Sequence, residues 1–181
     1  TLNGQTPQQL GIVDIHDSAS LARPAIDNEW WGAALNANWL LGDFELTSIT
    51  SYDQFDHGRV ISFDGIPSVQ QDIDYKTRIE AWSQELRLAH DNGGAFTWLI
   101  GANVAHDEQD EDSVLIAQTG LLPFALGGLT TARQIYKQET DAYSIFGRAD
   151  WALSDTVTLV GETRYTEEKK AFDGGVLLSQ V

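Results

Sequence analysis

Six stretches of this chain alternate apolar and polar residues with a period of two, and no apolar run approaches the roughly 20 residues of a membrane helix. Residues i, i+2 and i+4 of a strand share one face, so such alternation builds two-faced strands. In the first stretch Ala33, Leu35, Ala37 and Trp39 fall on one face, with Asn36 and Asn38 on the other. In the third, Trp82, Leu86 and Leu88 oppose Ser83, Glu85 and Arg87. The fourth sets Phe96, Trp98, Ile100, Ala102 and Val104 against Thr97, Gly101 and Asn103. The fifth and sixth place Tyr143, Ile145, Ala149 and Leu159 opposite Ser144, Arg148, Glu162 and Arg164. Only the second, from Phe44, is ambiguous, because Ile49 interrupts its polar face.

The alternation predicts strands over 31–41, 44–56, 79–90, 95–107, 139–152 and 156–170. Short links at Gly42, Asn92 and Ser154 alternate with two links of more than twenty residues, from Asp56 to Arg78 and from Glu108 to Lys137. Asp91-Asn92-Gly93-Gly94 is a strong hairpin signal, since Asn and Gly tolerate positive φ. Tight turns at one end and long loops at the other are the habit of an outer-membrane barrel. Trp39, Phe44, Phe96, Trp98 and Trp151 flank the short turns, whereas Tyr52, Tyr143 and Tyr165 lie towards the long links. Two aromatic sets suit the two interfaces of a bilayer. The expected fold is all-β: an antiparallel meander of about six strands, forming an open curved sheet within a large transmembrane β-barrel. Six strands are too few to close a barrel alone.

Composition narrows function. The 181 residues include 11 Lys plus Arg against 27 Asp plus Glu, a formal charge of -16. A nucleic-acid partner would need a basic face, and an anionic membrane surface would repel this chain. There is no cysteine, hence no disulfide framework or thiolate site. No nucleophile elbow, phosphate loop or dinucleotide fingerprint occurs. No catalytic residue, cofactor or metal site is therefore expected. The run from His106 through Asp107 and Glu108 to Asp112 reads as a solvated acidic loop, lacking the spacing of a calcium loop. His57, Arg59, His106, Asp107 and Glu108 stand where long links begin, which makes them the candidates for touching a ligand at a barrel mouth.

Several stretches resemble the barrel of TonB-dependent receptors. They are Phe44–Tyr52, Trp82–Ala89, Phe96–Ala102, Tyr143–Trp151 and Gly161–Lys170, in order and at family-like spacing from about Trp30 to Gly175. The resemblance implies a barrel of about 22 strands with a plugged lumen. This chain would be an internal slice, with 1–29 an outer loop or preceding segment, 30–175 three hairpins, and no plug domain. It further implies the outer membrane of a Gram-negative bacterium and uptake of a scarce nutrient such as a ferric siderophore. The partners implied are outer-membrane lipid, a small ligand, and the TonB complex through the missing plug. Under this reading Leu35, Ala37, Leu86, Ile100, Ala102, Ile145, Ala149 and Leu159 face lipid. Asn36, Glu85, Arg87, Asn103, Arg148, Glu162 and Arg164 face the lumen. The competing reading is a soluble extracellular carbohydrate-binding β-module. There Trp39, Trp98 and Trp151 would be buried or line a groove, instead of sharing one height on one outer face.

Overall fold

The computed structural model describes Thr6, Gln9 and residues 25–63, 71–117 and 127–179. Six strands follow one another: β1 (Ala25–Leu41), β2 (Phe44–Ser62), β3 (Asp72–His90), β4 (Phe96–Ile116), β5 (Thr131–Ser154) and β6 (Val157–Ser179). They form one antiparallel sheet in the order β1-β2-β3-β4-β5-β6. Among the described residues neither β1 nor β6 has a second partner, so the sheet is open, as its strand number dictates.

Turn chemistry fixes the hairpins. Gly42 adopts φ +67° between β1 and β2, and Gly93 adopts φ +71° between β3 and β4. A side chain with a Cβ would be strained at both. The Asp91 and Asn92 side chains accept the Gly93 and Gly94 amide protons at 2.9 and 3.0 Å.

The turn-side limits fall within two residues of those expected. The loop-side limits do not. Strands run six to nine residues further than predicted, from 31 back to Ala25 and from 107 out to Ile116. Residues 25–29 therefore belong to β1 and not to an outer loop. The earlier residues, apart from Thr6 and Gln9, lie outside the described ones. The supposed acidic loop His106–Asp112 is mid-β4, hydrogen-bonded to β3 and β5. The error has a physical source. In that run acids occupy both faces, so apolar–polar alternation vanishes although the ladder continues.

The register defines two faces. One row of the first face crosses Trp39, Leu46, Leu88, Ile100, Gly147 and Thr163. One row of the second crosses Asn36, Ile49, Glu85, Asn103, Ser144 and Thr166. Ile49 thus joins the polar face. The only buried hydrophobic residue among those described is Ala117, and no large side chain is fully enclosed. A sandwich core would bury both sheets' inner faces; among the described residues nothing packs on this sheet.

Aromatic and imidazole rings mark two levels on the first face. Trp31 and Trp39 on β1, Phe44 and Tyr52 on β2, Trp82 and His90 on β3, Trp98 and His106 on β4, and Tyr143 and Trp151 on β5 are each eight residues apart. At about 3.4 Å per residue the levels are about 27 Å apart along the strand. Both levels slope alike. Trp39 is level with Gly147, and Trp151 lies four residues nearer the turn; Trp31 is level with Glu139, and Tyr143 lies four residues nearer the turn. Four residues over four strand spacings of about 4.8 Å is a slope of about 35°, the tilt of strands in a barrel.

Candidate functional site

Between the aromatic levels, no described residue of the first face is charged. β3 presents Gln84, Leu86 and Leu88 there, β4 presents Ile100, Ala102 and Val104, and β5 presents Ile145, Gly147 and Ala149. Leu86, Ile100 and Ile145 are 49, 54 and 63% exposed, so this apolar band is open. Its one strongly polar side chain, Gln84, is satisfied by neighbours. It accepts from Thr50 Oγ1 at 2.5 Å and donates to Ser48 Oγ at 2.9 Å. Such pairing lowers the cost of polar groups in an apolar setting.

The second face at the same level is charged and cross-linked. Arg148 donates to Glu162 at 2.7 Å and to Asp150 at 2.7 and 2.8 Å. Arg87 pairs with Glu85. Arg164 donates to Ser144 Oγ at 2.8 Å and lies 5.4 Å from the centroid of the Phe146 ring. That ring covers Gly101, where any added Cβ would collide with it. The register separates the expected sets without exception. Leu35, Ala37, Leu86, Ile100, Ala102, Ile145, Ala149 and Leu159 share the first face; Asn36, Glu85, Arg87, Asn103, Arg148, Glu162 and Arg164 share the second. Trp39, Trp98 and Trp151 also share the first face, on the sloping turn-side level.

The five ligand candidates do not converge, and none begins a loop. His57, Arg59 and Asp107 lie on the second face, His106 and Glu108 on the first. His57 Nδ1 is 2.6 Å from Asn28 Oδ1, and its ring stacks on Phe55. His106 Nδ1 is 2.8 Å from Asp141 Oδ1, and Glu108 is held by Lys137 Nζ at 2.9 Å.

Beyond the loop-side level the first face becomes a lattice of ion pairs. Arg78 Nε meets Asp56 at 2.7 Å, Arg133 meets Asp112 at 2.5 and 2.8 Å, and Lys137 bridges Glu108 and Glu139. Hydrogen bonds from Arg78 and Gln54 hold the Asp56 carboxyl below its ordinary range, and the bidentate Arg133 does the same for Asp112. An open depression of about 980 Å³ lies here, largely on the first face; Asp56, Arg78, Asp112 and Lys137 are among its lining residues. The second face, in the same rows, turns aromatic: Trp30, Phe55, Tyr75, Tyr136 and Phe172 all lie on it. None of these five was a sequence candidate. The signal was present as period-two spacing, but in the phase opposite to that of the apolar band.

No protein-family model matches this chain, and no curated protein matches it in sequence. Solved structures do. The ferric yersiniabactin uptake receptor FyuA from Yersinia pestis superposes with a TM-score of 0.63 at 15% identity, over 86% of this chain and 25% of that one. The ferric citrate transporter FecA, in its unliganded form, superposes with a TM-score of 0.59 at 10% identity, over 83% of this chain and 22% of that one. The chain spans about a quarter of the length of these proteins. At such identity the likeness establishes the fold: an open antiparallel sheet matching a piece of an uptake-receptor barrel.

Proposed function

We propose that this chain is barrel wall of a TonB-dependent receptor in a Gram-negative outer membrane, importing a scarce nutrient such as a ferric siderophore. The observation that carries the reading is the pair of parallel ring-bearing levels bounding a charge-free band on one face. A spacing of about 27 Å along strands tilted by about 35° projects to about 22 Å, close to the apolar band of roughly 25 Å that such barrels present to lipid. The first face between the levels then meets hydrocarbon, and the second, with Glu85, Arg87, Arg148, Glu162 and Arg164, borders a wet lumen. The ion-paired ends of the strands stand in water beyond the outer interface. Energy coupling belongs to a plug domain and the TonB complex; these residues supply the surrounding wall. FyuA and FecA, whose barrels this sheet matches, take up ferric yersiniabactin and ferric citrate, which favours an iron chelate as cargo.

The test is genetic. The gene for the full-length protein is deleted in its host, and uptake of radiolabelled ferric chelates is measured in iron-poor medium. Loss of uptake of one chelate, restored by the gene and abolished without TonB, is expected. Unchanged uptake of every chelate, with the protein recovered from a soluble fraction, would refute the proposal.

A further inference from the structure

Beyond the row Gly32, Asp53, Ala81, Asp107, Thr140 and Lys170, the second face changes character. From there to the strand ends its only charged side chains among the described residues are Arg59 and Glu111. In the same rows the first face carries the ion-pair lattice of Asp56, Arg78, Asp112, Arg133 and Lys137. This level is therefore aqueous, and its aromatics are not anchors in hydrocarbon. The two faces have exchanged roles: apolar against charged between the aromatic levels, charged against apolar beyond them. An apolar surface facing water marks a place where something binds.

We propose that this stretch of the second face is the ligand-contacting wall. Its ligand is electroneutral, with exposed ring or other flat apolar surface and a rim of hydrogen-bonding groups. The inference rests on the second face being the lumen side. Near absence of charge argues for the neutral ligand, since a charged one would find few compensating groups here and would lose its hydration. The rings argue for the flat apolar surface. Tyr136 and Phe172 lie 5.3 Å apart at 32°, and Phe55 and His57 lie 6.1 Å apart at 19°. Each pair is braced. Asn28 holds His57, and the Tyr136 hydroxyl donates to Glu111 at 2.6 Å. Gly174 leaves room opposite Tyr136, where an added Cβ would strike the tyrosine. Rings already ordered lose little freedom when a ligand stacks on them. Gln109, near Tyr136, supplies an amide at the rim. The depression on the first face is a poorer site, because Arg78 and Lys137 are already engaged by carboxylates.

The experiment uses the full-length receptor in detergent and reads tryptophan quenching. Ferric tris(benzohydroxamate) and ferric tris(acetohydroxamate) are both uncharged and differ in their rings; ferric citrate is anionic and ring-free. The benzohydroxamate complex should bind about tenfold tighter than the other two, the ratio one lost stacking contact gives. Phe55→Ala and Tyr136→Ala should each remove most of that preference, while Arg78→Ala on the opposite face leaves it intact. Equal binding of the two hydroxamates, or tighter binding of ferric citrate, would overturn the inference and leave iron uptake standing. So would variants that lower the melting temperature yet keep the preference, since the receptor's own segments would then be what covers the wall. If no ferric complex binds but uncharged 4-nitrophenyl maltoside does, and Phe55→Ala abolishes it, the wall stands and the iron cargo falls.

Discussion

At single residues, the sheet is governed by what each side chain meets across the ladder. Gly101 is the clearest case, because the Phe146 ring fills the space above it and Arg164 lies over the ring's vicinity. Gly101→Leu should force the ring aside and destabilise the protein by about 1–3 kcal/mol, the usual cost of overpacking. Adding Phe146→Ala should recover part of that loss in urea titrations of the refolded full-length protein; purely additive losses would show that the two do not compete for one space. Beyond the aromatic levels the governing contacts are ionic. The Asp112 carboxyl, gripped by Arg133, lies below its ordinary 3.8. Its depressed folded value means that its stabilisation is present above the unfolded pKa and is lost as pH falls through the folded one. A carboxyl-selective NMR titration of the full-length protein should find Asp112 charged below pH 3.8, and Arg133→Gln should return it to the ordinary range. Because Asp112 is about a third exposed, solvent screens the pair and the effect on overall stability is small. An Asp112 titration indifferent to Arg133→Gln would show the pair to be incidental.

At the level of strands, alternation was legible wherever one face is apolar and the other polar. That condition held between the aromatic levels, so Leu86 against Glu85 and Ile100 against Asn103 were read on opposite faces from spacing alone. It failed from about Asp107 outwards, where acids fall on each face. There the strand persists because its backbone is paired on both sides, a cause that no side-chain pattern records. The aromatic wall escaped notice for a related reason: Phe55 and Tyr136 are apolar in the phase where the inner strand halves are polar. The facing itself is open to test. Ile100 and Asn103 lie three residues apart on β4, on opposite faces. Ile100→Arg should cost about 2–4 kcal/mol if that position meets the hydrocarbon midplane, and Asn103→Arg much less. Urea unfolding of the two full-length variants from liposomes measures both. Equal losses, or a larger one at Asn103, would reverse the assignment of lipid and lumen.

For the molecule as a whole, the decisive fact is two edges that are unpaired among the described residues. β1 offers 17 residues and β6 offers 23, each paired there with a strand along one side only. Open edges of that length invite pairing with other chains, and the usual defences of soluble sheets are weak here. β1 contains no Lys, Arg or Pro, and its edge presents Leu35, Trp39 and Leu40 at 68, 49 and 80% exposure. β6 has Lys169 and Lys170 near its middle, but Leu159 and Val160 before them and Val176, Leu177 and Leu178 after them are all about half exposed or more. The apolar band adds a second adhesive surface between the edges. The net charge of -16 opposes association, yet many of the acids, among them Asp27, Glu29, Asp72, Asp74, Asp110 and Asp173, stand beyond the aromatic levels at one end of the strands. The 181-residue chain on its own should therefore aggregate in detergent-free buffer. A maltoside detergent should shield the band but not the edges, giving small oligomers in place of monomers. Sedimentation velocity with and without detergent distinguishes these states. Replacing Leu35 and Leu40 by Lys should shift the detergent-bound species towards monomer, because the edge of β1 would then repel its copies. A monodisperse monomer in plain buffer would contradict the membrane reading at its root, since it would mean that the exposed band and both edges find cover within this chain.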